Sequence, residues 1–210
     1  MKSSPNNRIN AIMEALLEAH EEAQQVSHSS LHRMPEYFMT MRVADYFAKN
    51  FLNFGYRLEA QVRRTFEASD MNVGDISELL EDTDLRSDGR FDLVIHTGKK
   101  GRPAHILEFK RKDSNMQGII SDMRRLAKIS CTAKRHSLKT NYLVLTRNCQ
   151  EEKDTVDNLI RRIDTVLDEH DMGDVEVNVI ASDPMVPYLN SKLEPVAGRA
   201  FQIVILEIQG

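Results

Sequence analysis

The chain has 210 residues, 41% of them hydrophobic, and a formal net charge of −4. That length supports one sizeable core and excludes a small disulfide-stapled scaffold; Cys131 and Cys149, with no C-x-x-C pairing, read as reduced thiols without a zinc site. The apolar run Ile203–Leu206 is far too short to cross a bilayer, and the opening MKSSPNNR lacks a secretory apolar core, so a cytoplasmic protein with no membrane partner is expected.

Residues 1–8 read as a flexible polar terminus. Ile9, Ile12, Met13, Leu16 and Leu17 then recur at helical spacing up to about Val26, so 9–33 reads as an N-terminal helical extension. A second helix starts near Met34-Pro35-Glu36 and carries Tyr37, Met41, Ala44, Tyr46 and Phe47 toward Phe51. Alternation from Tyr56 to Val62 predicts a half-buried strand. The acid-rich stretch 68–88 reads as an insertion with one short helix, Ile76–Leu80.

Two strands follow, Phe91–Thr97 and His105–Lys112, joined by the turn Gly98-Lys99-Lys100-Gly101-Arg102-Pro103. Residues 115–130 are helical, with Ile119, Ile120, Met123, Leu126 and Ala127 as the apolar stripe. Asn141–Thr146 predicts a central strand buried on both faces, Glu151–His170 a helix, and Val175–Ile180 and Phe201–Ile208 two further strands. The order predicts a single α/β domain over 1–210: a mixed central sheet flanked by helices, with its core in 34–148 and a C-terminal helix and strands in 149–210.

Charge is distributed unevenly. From Lys99 to Lys139 twelve basic residues face three acids, so a basic segment sits inside an otherwise acidic chain. Such a segment is either a polyanion-binding face or a solvated surface. Within it, period two puts Ile106, Glu108 and Lys110 on one face of their strand, and Asp92, Val94 and His96 share a face of the preceding one. A symmetric hairpin centred on residue 100 sets Asp92 directly opposite Glu108, with Cβ atoms about 5 Å apart. Two carboxylates that close repel, and either Lys110 or a hard divalent cation compensates them. Carboxylates, an amine and a basic surround suit metal-assisted phosphodiester hydrolysis.

These residues resemble the PD-(D/E)XK, or restriction-endonuclease-like, nuclease superfamily. Gly89-Arg90-Phe91-Asp92-Leu93-Val94-Ile95 is similar to its Asp-bearing strand and Leu107-Glu108-Phe109-Lys110 to its second motif, although Phe91 stands where the motif's proline would be. The resemblance implies an α-β-β-β-α-β core, here with an extra N-terminal helix and C-terminal strands. It implies Asp92 and Glu108 as ligands of Mg²⁺, with Mn²⁺ a substitute, and Lys110 as the catalytic lysine. It also implies a further acid from the first core helix, Glu36, with Glu59 on the first strand as the rival. Gln117, Asp122, Arg124 and Arg125 are candidates to line the site. Lys99, Lys100, Arg102, Lys112, Arg125 and Lys128 are candidate nucleic-acid contacts, with DNA favoured over RNA as partner. The alternative is a catalytically silent nucleic-acid-binding or assembly module that keeps the fold. The helix at 9–26 and the strand Phe201–Ile208 are candidate homodimer surfaces or else core.

Other signals carry less. His28 and His32 have helical metal-ligand spacing without an acidic third ligand, and His96 and His105 flank the hairpin turn. No phosphate-binding G-x-x-x-x-G-K-[ST] loop and no G-x-S-x-G occur.

Overall fold

In the computed structural model, which describes residues 4–98, 101–111, 116–150, 156–169, 174–185, 187–190 and 192–210, the first helix α1 (Pro5–Ser27) begins earlier than apolar spacing predicts. Ser4 is the reason. Its Oγ accepts the N–H of Asn7 at 3.2 Å, and Pro5 presets the first helical turn. The helix stops at His28, which takes a left-handed φ of 48°. After a 3-10 turn at Leu31–Arg33, α2 (Glu36–Asn50) starts behind Pro35 and leads into β1 (Phe54–Gln61).

The strand expected through Val62 ends one residue sooner, because Val62, Thr65 and Phe66 also have helical spacing and bury together in α3 (Val62–Glu67). Helix α4 (Val73–Glu81) follows, capped by the Asn72 side chain on the Asp75 N–H. Then come β2 (Arg90–Thr97), β3 (Pro103–Lys110), α5 (Met116–Thr132), β4 (Thr140–Gln150), α6 (Val156–Glu169), β5 (Glu176–Ala181) and β6 (Arg199–Gln209).

The six strands form one mixed sheet in the order β1-β2-β3-β4-β6-β5. Only β3 and β4 run parallel, joined by α5 as the crossover; the other neighbours are antiparallel. Helices α1 and α2 cover one face, meeting Leu93, Ile95, Leu107, Phe109, Tyr142 and Val144. The other face packs Val94, Ile106, Leu143 and Leu206 against α5 and α6. Strand β4 is therefore buried on both sides, as its unbroken NYLVL run predicts. No helix among the described residues is long and apolar enough to cross a membrane. The expected dimer surfaces are largely interior: Ala11, Ile12, Ala15, Leu16 and Ala19 of α1, like Phe201–Leu206, sit in the core.

The β2–β3 hairpin has the register expected from its turn, with Leu93 opposite Leu107, Val94 opposite Ile106 and Ile95 opposite His105. A bulge then shifts the pairing so that His96 meets Pro103. The turn needs its glycines. Gly98 has φ 79°, and a Cβ on Gly101 would lie 1.2 Å from the Thr97 carbonyl oxygen.

At the opposite end of the hairpin the sheet changes. Leu58 and its partner Leu93 pack toward α1 and α2, whereas the next pair, Ala60 and Phe91, pack toward α5. The switch falls on Glu59, a non-glycine residue at φ 49°, and on Asp92 beside it in register.

Candidate active site

The backbone ladder between β2 and β3 gives way to a side chain here. The N–H of Phe109 donates to Asp92 Oδ2 at 2.8 Å, so the carboxylate occupies the opening between the strands. Glu108 stands in register with Asp92 on the α5 face of β3, and Lys110 follows it on the same face. All three lie where β3 ends, the carboxyl edge of the parallel pair β3–β4, a preferred place for ligands in open α/β sheets.

Helix α5 crosses directly above and supplies two partners from successive turns. Asp122 Oδ2 lies 2.7 Å from Lys110 Nζ, and Arg125 places one guanidinium nitrogen 3.0 Å from Glu108 Oε1. Arg125 also donates to the Arg90 carbonyl at 3.3 Å and stacks over the Phe91 ring at 4.3 Å. It is buried, so it reaches Glu108 rather than the surface. Glu36 arrives from the other layer: at the start of α2 its Oε1 accepts the Arg111 N–H at 3.0 Å, just past Lys110.

Burial pushes Asp92 above the ordinary carboxylate range, against the pull of the Phe109 N–H and the Lys110 charge. Burial, and then the neighbouring Asp92 charge, push Glu108 well above it, with Arg125 pulling the other way. Burial alone would lower Lys110, but its bond to Asp122 and the surrounding carboxylates hold it above the usual lysine value, so it is an ammonium. The cluster thus gathers carboxyl groups in a poorly solvated place, where burial favours their neutral forms and Lys110 and Arg125 answer their charge.

Among the described residues no group of three or more His, Cys, Asp and Glu side chains is arranged to hold a metal ion. Asp92 and Glu108 offer two carboxylates, and a hard divalent cation such as Mg²⁺ takes one or two together with waters and a substrate phosphate. Burial first, and then repulsion from Asp92, raises Glu108; a cation between the two carboxylates would relieve the second, a part that Arg125 already answers on Glu108.

The remaining sequence candidates disperse. Glu59 is exposed on β1 and faces a separate recess with Arg57, Arg64 and His96. Arg102 sits in the hairpin turn, at the end of β3 away from Lys110, and Lys99, Lys100 and Lys112 lie outside the described residues. Gln117 is exposed at the start of α5. Lys128 pairs with Asp82 and Arg124 with Asp84, while Lys134 pairs with Asp174.

Arg124 and Lys128 are thus answered by acids of the stretch 68–88, which folds against α5, Lys134 by Asp174 and Arg111 by Glu36, whereas Lys110 and Arg125 pair with acids inside the segment, Asp122 and Glu108. His96 and His105 sit at the turn end, where their Nδ1–H groups donate to the carbonyls of Gly101 and Thr140. His28 is exposed, whereas His32 is buried and stacks on Tyr188. In comparisons with protein-family models, with curated proteins and with solved structures, nothing matches this chain.

Proposed function

We propose that this chain is a divalent-metal-dependent nuclease that hydrolyses phosphodiester bonds, with DNA as the favoured substrate. The observation that carries the reading is the convergence of Asp92, Glu108 and Lys110 at the end of β3, on a backbone opening that one carboxylate occupies. A divalent ion held by Asp92 and Glu108 would supply a Lewis acid against the negative charge that develops on the phosphate.

Lys110 sets its ammonium beside that phosphate and stabilises the pentavalent transition state, in which a water oxygen adds as the bond to the leaving oxygen breaks. Asp122 orients Lys110 through the 2.7 Å contact. Glu36 adds a third carboxylate at the rim, close enough for its charge to act on Asp92.

A second reading, a nucleic-acid-binding module without catalysis, is favoured by the Arg125–Glu108 pair, in which the guanidinium balances Glu108 without a metal ion. The test is cleavage of linear and circular DNA by purified protein with Mg²⁺, Mn²⁺ or chelator. Metal-dependent cutting that disappears in Lys110→Met, with its circular dichroism spectrum and Tm retained, supports the nuclease. Binding without cutting under either metal supports the second reading.

A further inference from the structure

Helix α5 puts a cation of its own beside the carboxylates. Arg125 is buried and held on three sides: one guanidinium nitrogen is 3.0 Å from Glu108 Oε1, another donates to the Arg90 carbonyl at 3.3 Å, and Cζ lies 4.3 Å from the centre of the Phe91 ring. Its neighbours on the same helix differ. Arg124 and Lys128 are exposed and reach outward to Asp84 and Asp82. Arg125, enclosed by its three partners, is a fixed charge of the site.

Every carboxylate around it has one oxygen engaged by a protein donor. Asp92 Oδ2 accepts the Phe109 N–H at 2.8 Å, Glu108 Oε1 faces Arg125, Asp122 Oδ2 faces Lys110 at 2.7 Å, and Glu36 Oε1 accepts the Arg111 N–H at 3.0 Å. Counted as ions, these four carboxylates meet three cations, Lys110, Arg111 and Arg125, so the cluster is left with one net negative charge. A poorly solvated site holds little uncompensated charge. One divalent ion turns that balance to plus one, and a phosphodiester with its single negative charge brings it to zero. Two ions, set about 4 Å apart as in a two-metal clamp, would leave two positive charges unanswered.

We infer that Arg125 restricts this site to a single divalent ion and sets how tightly that ion is held. This rests on the nuclease reading and specifies how many ions its site takes. Arg125 stands where a second cation would otherwise answer Glu108, and it weakens the hold on the first by repulsion across the shared carboxylate. Its part is electrostatic: it sets the charge that the ion meets.

The experiment titrates Mn²⁺ into the protein without nucleic acid, by calorimetry and by the EPR signal of the free ion. Wild type is expected to bind one Mn²⁺ per chain, and Asp92→Asn to lose it, which places the ion at this cluster. Arg125→Met keeps the bulk of the side chain without its charge. It should bind the ion about tenfold tighter or more, the size of effect that groups one shell out from a metal exert. Mn²⁺ should also raise its Tm by more than that of wild type. Phe91→Leu serves where loss of the buried charge unfolds Arg125→Met: both members of the ion pair stay, the ring that holds the guanidinium goes, and affinity should rise about threefold.

Two ions per wild-type chain overturn the inference and leave the nuclease reading standing. So does an affinity that is unchanged or lower in Arg125→Met, or in Phe91→Leu where Arg125→Met does not fold. A bound ion that Asp92→Asn retains lies elsewhere and overturns it too. Absence of any Mn²⁺ binding at millimolar concentration also overturns it; the nuclease reading falls with it only where metal-dependent cleavage is absent as well.

Discussion

Arg125 and Glu108 form an ion pair 3.0 Å long, and each side chain is only 4% exposed. The sequence alone suggests that deleting either carboxylate of the cluster relieves repulsion at little cost. The pair changes that for Glu108, because its removal leaves Arg125 charged, buried and unanswered. Glu108→Ala is therefore expected to destabilise the fold by about 3–5 kcal/mol, and Arg125→Ala by a similar amount. Glu108→Gln keeps the shape and a hydrogen-bond acceptor for Arg125 but not the counter-charge, so it should cost less than Glu108→Ala, about 1.5–3 kcal/mol, while lowering cleavage about a hundredfold or more. Urea unfolding of the three variants, set beside their nuclease rates, separates a structural role from a chemical one.

Position favours Glu36 over Glu59 as the further acid of the proposed site. Glu36 touches the backbone just past Lys110 and its charge acts on Asp92, whereas Glu59 is exposed in a left-handed conformation that glycine adopts freely. Glu36→Gln should lower cleavage about tenfold with little change in Tm. Glu59→Gly should leave cleavage unchanged and stabilise the protein by about 1 kcal/mol, the strain of a Cβ at positive φ. Loss of activity in Glu59→Gly alone would reverse the assignment.

Local patterns carried much of this fold. The strand positions, the two-sided burial of β4 and the hairpin register all follow from period-two alternation and a glycine-bearing turn, which act over a few residues. The cluster Asp92–Glu108–Lys110 was legible for the same reason, since one turn sets its register. Partners from distant segments were not. Nothing in the spacing of α5 says that Arg125 turns inward to Glu108, or that Lys128 and Arg124 meet Asp82 and Asp84.

The charge surplus of residues 99–139 read as a surface for polyanions because four acids that pair with it, Glu36, Asp82, Asp84 and Asp174, lie outside the window.

Tyr142 links two buried charges. Its hydroxyl accepts from Arg8 Nε at 2.8 Å and donates to Glu207 Oε1 at 3.2 Å, joining α1 to β4 and β6. Burial raises the phenol above its ordinary value, so it stays a donor. Tyr142→Phe withdraws a partner from both charges at once and should destabilise by about 1–3 kcal/mol. The measurement is the urea midpoint of Tyr142→Phe and of the double variant with Arg8→Met. Less than additive loss in the double variant identifies one coupled network, and simple additivity contradicts it.

His105 should make the fold sensitive to acid. Desolvation, and then the charge of Arg8, push its imidazole down to about 3, while the Nδ1–H stays bound to the Thr140 carbonyl at 2.7 Å. The groups facing it are Arg8 on α1 and Tyr142 on β4, with Glu207 beyond the phenol. In the unfolded chain a histidine titrates near 6.5. Between those two values the unfolded state binds the extra proton, so stability falls as pH drops below about 6.5, by up to about 1.4 kcal/mol per unit, and levels off near 3. The raised carboxyls Asp92 and Glu108 act with the opposite sign in the acid range, because there it is the folded state that holds the proton. The contribution of His105 must therefore be read as a difference. His105→Asn keeps an N–H donor for Thr140 and cannot titrate. Its unfolding free energy, subtracted from that of wild type at pH 7 and at pH 5, should show wild type losing ground by about 2 kcal/mol on acidification. Parallel curves for the two proteins would mean that the ring is protonated as readily in the fold as in water.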